Sequence, residues 1–244
     1  MQLQFPLQFE KVNSKKVSDF ILEQLEEAII LKELLSEEQL PTERELATIF
    51  NASRLAVREA LGQLEANGLI EKRVGAKGGT FVLPVTMNSH RRTKKEIERE
   101  WDKMLKVFEF RMLIEPEAAF LAAGRITPEE LEQLQELLDM SRAEDCPREL
   151  FRALDVKFHL NIAKSSNNLY FEKAVRQIRT QINPALDLMP YNHEIRSVNC
   201  ENHSLLLEAI QARDAGLSKE IMRQHIAKSA EAIYTRVFDG GERG

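Results

Sequence analysis

A chain of 244 residues, 43% hydrophobic and 30% charged, has the length for two modest domains and an ordinary globular composition, which excludes wholesale disorder. Its net charge of −5, from 34 basic and 39 acidic residues, argues against indiscriminate nucleic-acid binding and leaves room for a local basic face. The isolated Cys146 and Cys200 suggest no disulfide framework, and no membrane-length apolar run or signal-peptide pattern occurs, so a reducing, cytoplasmic location is expected.

Met1 to Phe9 shows no period and is expected to be a loosely docked arm. From Ser14, the positions Val17, Phe20, Ile21, Leu25, Ala28 and Ile29 predict an amphipathic scaffolding helix, with Glu33 to Gln39 as its connector. Thr42 can cap a second helix while Glu45, three residues on, reaches back to the cap amide; Leu46, Ala47 and Phe50 give that helix one apolar side. Asn51-Ala52 breaks it. Ser53 then caps a third helix in which Val57, Ala60, Leu61 and Leu64 recur at helical spacing, leaving Arg54, Leu55 and Arg58 on the wet face. This is a helix-turn-helix whose second helix is led by arginines, and an arginine fork there can pair with guanine N7 and O6.

Asn67-Gly68 ends the third helix, and Leu69 to Val74 and Thr80 to Leu83 read as two strands around Gly75-Ala76-Lys77-Gly78-Gly79. The glycine-rich tip carrying Lys77 suits a groove wall or phosphates. From Pro84 to about Lys103 the chain is basic and poor in apolar residues, as a linker would be, with a helix expected near its end. Six helices are then predicted, over Leu105 to Ala123, Pro128 to Arg142, Pro147 to Ser166, Leu169 to Leu188, Val198 to Arg213 and Leu217 to Phe238. Short loops make these an antiparallel bundle, and the fold class is mostly α: a winged helix-turn-helix followed by an all-α bundle.

Within the bundle, Asp155 and His159 lie four residues apart on the face that carries Phe151, Phe158 and Ile162. His203 precedes Leu206 and Leu207, and His225 follows Ile221 and Met222, so both also face inward. A buried carboxylate needs a partner, and a divalent ion with neutral imidazoles supplies one, so these four residues are predicted to hold a single metal. Nitrogen and oxygen ligands suit zinc first, and also nickel, manganese or iron.

Leu40-Pro41-Thr42-Glu43-Arg44-Glu45-Leu46-Ala47, Ser53-Arg54, Val57-Arg58-Glu59-Ala60-Leu61, Leu64-Glu65 and Gly68-Leu69-Ile70 resemble the winged helix of GntR-family transcription regulators. Thr42 stands where serine or alanine is common and Asn51-Ala52 where glycine-valine is, replacements that keep the cap and the turn. The resemblance implies operator contacts from Thr42, Arg44, Ser53, Arg54, Leu55, Arg58, Lys77, Gly78 and Gly79. The set Asp155, His159, His203 and His225 is similar to the FCD bundle of FadR-type members, supported by Glu109-Phe110-Arg111, Ile114-Glu115-Pro116 and Asn168. In its metal-containing branch the ion and nearby polar groups hold a small carboxylate effector, which implies Arg111 as a carboxylate fork and Asn168 as a secondary contact; the other reading of Arg111 is an ion pair with Glu115.

The expectation is therefore a repressor, not an enzyme, that binds pseudo-palindromic operator DNA as a homodimer under control of a carboxylate metabolite. Residues 10 to 83 would form the DNA-binding domain, 84 to 103 the linker and 104 to 238 the effector and dimerisation domain. The alternatives are a metal-dependent helical-bundle enzyme fused to a DNA-binding module, and a metal-free sensor of acyl thioesters. The first lacks an acid-base residue at a convincing spacing, and the second gives the histidines no role.

Overall fold

A computed structural model describes residues 15–75, 78–84 and 87–239, with side chains from 93 to 238 in the last stretch. The arm at 1–9 and Lys77 lie outside the described residues. The chain divides into two compact units, one built from residues up to Glu26 with Gln39–Leu83, the other from Glu27–Glu38 with the chain from Pro84 onward.

The first unit contains most of α1 (Val17–Ile30), α2 (Glu43–Ile49), α3 (Arg54–Ala66) and the antiparallel strands β1 (Ile70–Arg73) and β2 (Gly79–Val82). The reciprocal cap of α2 forms as read: the Thr42 hydroxyl accepts from the Glu45 amide at 3.3 Å and the Glu45 carboxylate accepts from the Thr42 amide at 2.8 Å. Asn51 turns the chain at φ 46°, a left-handed conformation asparagine tolerates, and Ser53 caps α3 through the Ala56 amide at 3.2 Å. Leu46, Val57, Ala60, Leu61, Leu64, Ile70 and Val82 are buried. In α1 the buried stripe is Ser18, Ile21, Leu25 and Ile29, whereas the expected core residues Val17 and Phe20 are 58% and 55% exposed. They sit one position off the three-four-four spacing that faces the interior, so apolar character alone misplaced that edge of the helix.

The wing pairs Ile70 with Val82 and Arg73 with Gly79. Gly78 is required by its surroundings, since a Cβ there would lie 2.6 Å from the Arg73 carbonyl and 2.8 Å from that of Gly75. Arg73 lies 4.4 Å from the centre of the Phe81 ring, diagonally across the hairpin.

The second unit is all-helical: α4 (Met87–Arg99), α5 (Trp101–Arg125), α6 (Pro128–Arg142), α7 (Arg148–Ser165), α8 (Leu169–Leu186), α9 (His193–Gln211) and α10 (Ala215–Tyr234), which ends in a π turn, Thr235–Asp239. Helix α5 packs along α10, α8, α7 and α9, and its Ala118, Ala119, Ala122 and Ala123 are fully buried, small enough to let those neighbours approach. The segment expected to connect the halves is helical as α4 for most of its length. Ile97 is buried in a cluster with Phe108, Ile178, Ile182, Ile233 and Val237, against which Trp101 packs. Four of the five later helices have a polar cap, Thr127 with Glu130 for α6, Asn168 for α8, Asn192 for α9 and Asp214 for α10, whereas α7 follows Pro147 with no side-chain cap. Among the described residues, no helix is long and apolar enough to cross a membrane.

Candidate metal centre and nucleic-acid interface

The first turns of α3 present Arg54, Leu55 and Arg58 to solvent, with Leu55 65% exposed, because Val57, Ala60, Leu61 and Leu64 take the opposite face into the core. Glu43, at the start of α2, accepts from Arg58 Nη2 at 2.9 Å and lies 3.8 Å from Arg54 Nη2. The hydrogen bond from Arg58 holds the Glu43 carboxyl below its ordinary pKa, so a carboxylate cross-links α2 to the leading arginines of α3. Helical spacing within either helix gives no sign of this bond between them. Arg44 is exposed beside Thr42 and Glu45, Gly78 and Gly79 are partly buried in the wing, and Lys77 is not described.

In the helical unit, Asp155 and His159 of α7, His203 of α9 and His225 of α10 converge, and one potential ligand atom from each lies within 4.8 Å of all the others. All four are at most 9% exposed. Asp155 and His159 are one turn apart on α7; the other two imidazoles arrive from helices packed on the bundle interior. The His203 ring stacks on Phe158 at 4.3 Å between centres, which fixes its plane.

Burial would raise the Asp155 carboxyl, but the Arg179 guanidinium, then His159, His203 and Arg152, outweigh it and hold it well below the carboxylate range. Arg179 Nη2 donates to Asp155 Oδ2, leaving Oδ1 directed towards His203 Nε2 at 3.6 Å and His159 Nε2 at 4.0 Å. Burial lowers the His203 pKa to about 3, and burial together with the neighbouring His203 and His159 lowers that of His225 well below its usual value. Those two imidazoles are neutral at physiological pH and offer lone pairs. The Nε2 atoms of His159 and His203 are buried with no hydrogen-bond partner among the described residues, an arrangement that costs free energy unless something else occupies the space between them. Three imidazole nitrogens and one carboxylate oxygen within this span fit a divalent cation.

Behind the donors stands a second layer. Glu115 of α5 accepts from Arg111 Nε at 2.6 Å through Oε1, and its Oε2 lies 2.6 Å from His159 Nδ1. Burial opposes the charge on Glu115, yet Arg111, His159 and Arg179 keep its pKa strongly lowered. A carboxylate on Nδ1 directs the other ring nitrogen of His159 towards the donor cluster, as metal-binding histidines require.

A cavity of about 420 Å³ adjoins the cluster and is lined by Arg111, Arg152, Asp155, Arg179, Asn199 and His225, among others, with Leu186, Met189, Ile195 and Val198 on its apolar side. Arg111 reaches this cavity but is not a free fork, since its guanidinium is committed to Glu115 and, through Nη1 at 3.4 Å, to Ser229. Asn168 is not brought here: its side-chain oxygen accepts from the Tyr170 amide as the cap of α8, and it does not line the cavity. The sequence reading passed over Arg152, Arg179 and Asn199. Arg179 had a usable signal, a charged residue in the Val175, Ile178, Ile182 stripe, where an unpartnered cation would be costly. Both cysteines are buried free thiols, and Cys200 packs in the apolar core outside the donor set.

Comparison with known proteins converges on one family. The model for bacterial regulatory proteins of the gntR family matches residues 17–82, and the FCD domain model matches residues 106–228. The chain is 27% identical over 209 residues to the Exu regulon transcriptional regulator of Escherichia coli (strain K12), covering 84% of this chain and 80% of that protein. It is 28% identical over 229 residues to the HTH-type transcriptional repressor NanR of Cronobacter sakazakii (strain ATCC BAA-894), covering 87% and 83%. In fold it is similar to E. coli McbR/YncC, with a TM-score of 0.53 at 21% identity over 91% of this chain and 99% of that one. The protein belongs to the GntR family of bacterial regulatory proteins, as a DNA-binding transcription regulator with an FCD ligand-binding domain, and is not an enzyme.

Proposed function

We propose that this regulator is a repressor whose operator binding is set by a small carboxylate metabolite held at a divalent-metal site formed by Asp155, His159, His203 and His225. The observation that carries the reading is the convergence of four buried donors, two of them imidazole nitrogens with no hydrogen-bond partner among the described residues, beside a cavity of ligand size. A bound divalent ion, zinc before nickel, manganese or iron, would supply a Lewis-acidic centre with open positions for a carboxylate. Around it, Arg179 holds Asp155 ionised, Glu115 fixes the His159 ring, and Arg111 anchors Glu115 while keeping one edge on the cavity.

On the DNA side, two copies would form a symmetric dimer on a pseudo-palindromic operator, acting in the cytoplasm. Arg54, Leu55 and Arg58 would face base edges, with Thr42, Arg44, Ser53, Lys77, Gly78 and Gly79 along the backbone. The name of the relative NanR as a transcriptional repressor is in keeping with that mode. Titration calorimetry of zinc-loaded and chelator-treated protein against hydroxy acids and sugar acids tests the sensor half. Binding that requires the metal, and that weakens the operator complex in a gel shift, is the expected result; equal acid affinity with and without metal refutes it.

A further inference from the structure

Three guanidiniums line the cavity beside the metal-binding cluster, and two of them have a carboxylate of their own: Arg111 is matched by Glu115 and Arg179 by Asp155. Arg152 is different. It is 7% exposed, and among the described residues its buried Nε has no hydrogen-bond partner and no carboxylate lies within ion-pairing distance of it. Its guanidinium carbon lies 6.0 Å from the centre of the Phe151 ring. Burial lowers its pKa, and the more distant carboxylates of Asp155 and Asp187, which pull the other way, do not offset it. An isolated charge in such a place is costly, and proteins keep one where a ligand supplies the missing partner.

Charge balance extends the point. Arg111 and Arg179 cancel against their own partners and Lys228 and Glu194, which also line the cavity, carry one charge of each sign, so a divalent ion in the donor cluster and Arg152 together leave an excess of positive charge there. A monocarboxylate on the ion would leave the Arg152 guanidinium bare. Arg152 and Asp155 are three residues apart on α7, which puts their Cβ atoms roughly 5–6 Å apart, a separation that a short acid spans.

We propose that Arg152 forms a second anion subsite in this cavity, so that the effector is a compact dianionic acid with one carboxylate at the metal end and a second anionic group on Arg152. This rests on the sensor reading above and adds to it the class of ligand and a specificity-determining residue. The planar fork of arginine accepts either a second carboxylate or a phosphate, and the two sources are separable by experiment.

The test compares three acids that share a 2-hydroxypropionate core: lactate, malate and 3-phosphoglycerate. With zinc-loaded full-length protein, malate or 3-phosphoglycerate is expected to bind about tenfold or more tightly than lactate, the first if the subsite takes a carboxylate, the second if it takes a phosphate. Arg152→Gln should bring the three affinities within about twofold of one another, chiefly by weakening the dianions. Equal binding of all three to the unaltered protein, no binding by any of them, or equal weakening of all three by the substitution overturns the proposal. In chelated protein, a dianion preference that persists and depends on Arg152 leaves this subsite standing and removes the metal from the sensor; loss of all binding on chelation with no dianion preference in the zinc form does the reverse. Arg152→Met is a second check. It should raise the melting temperature of the ligand-free protein by removing an unpaired buried cation, whereas an arginine with only a structural role would lower it.

Discussion

Glu115→Gln isolates the layer behind the donor cluster without touching a predicted ligand. The carboxylate serves two groups at 2.6 Å, Arg111 through one oxygen and His159 Nδ1 through the other, and both partners are about 1% exposed. Glutamine keeps the shape but has a single acceptor oxygen, so it can satisfy only one of them, and its amide N–H groups face the other donor. Losing one charge-assisted hydrogen bond costs about 1.5–3 kcal/mol. Arg111 also loses its counter-charge; breaking a buried pair outright costs about 3–5 kcal/mol, which sets the upper bound for a polar isostere. With the His159 ring no longer held, metal affinity should fall about 10–100-fold. Chelator competition with zinc measures the affinity and thermal melting the stability, with Glu117→Gln, whose carboxylate pairs with Lys219 at the surface, as the control expected to change neither by much. Zinc affinity unchanged within twofold in Glu115→Gln refutes the reasoning, because it means that the Glu115 contact does not orient His159.

Arg54→Ala and Arg58→Ala should each weaken operator binding by about 1–3 kcal/mol per half-site and relax sequence preference, and a gel-shift series at fixed salt with unchanged affinity removes them from the reading face. Thr42→Ala deletes the reciprocal cap of α2 and should cost about 0.5–2 kcal/mol, measured as a lower melting temperature; no change means that the cap contributes nothing net. Stripping the metal, or making His203→Ala, should abolish acid binding and lower the melting temperature, since an ion at a hundredfold excess over its Kd stabilises by about 2.7 kcal/mol, while operator binding survives. Light scattering at micromolar concentration should find a dimer; a monomer that still binds one operator tightly contradicts the two-fold arrangement.

The sequence was most legible where local chemistry decides the outcome. Thr42 with Glu45, and Ser53, announce helix starts that the structure reproduces, because a cap is a contact between residues three apart. The four converging donors were also legible, as each lies on the apolar stripe of its own helix. What spacing could not reveal is which helices meet. Glu43 against Arg58, Glu115 against His159 and Arg179 against Asp155 each join separate helices, so no periodicity in one of them shows the pair. The start of α9 at His193, where Val198 was expected, has a different origin. Its first turns are polar and half-exposed, so they lack the stripe by which a helix is read, and only the Asn192 cap marks them. Asn168 shows the converse: a polar residue in a suggestive place whose hydrogen bond is fully explained by capping.

Element-resolved anomalous scattering from crystals of the protein purified without chelator tests the central claim most directly. The account predicts one strong peak per chain among Asp155, His159, His203 and His225, about 2.0–2.2 Å from each donor atom. Density with no metal signal there, the imidazoles bonded instead to water or to one another, contradicts it.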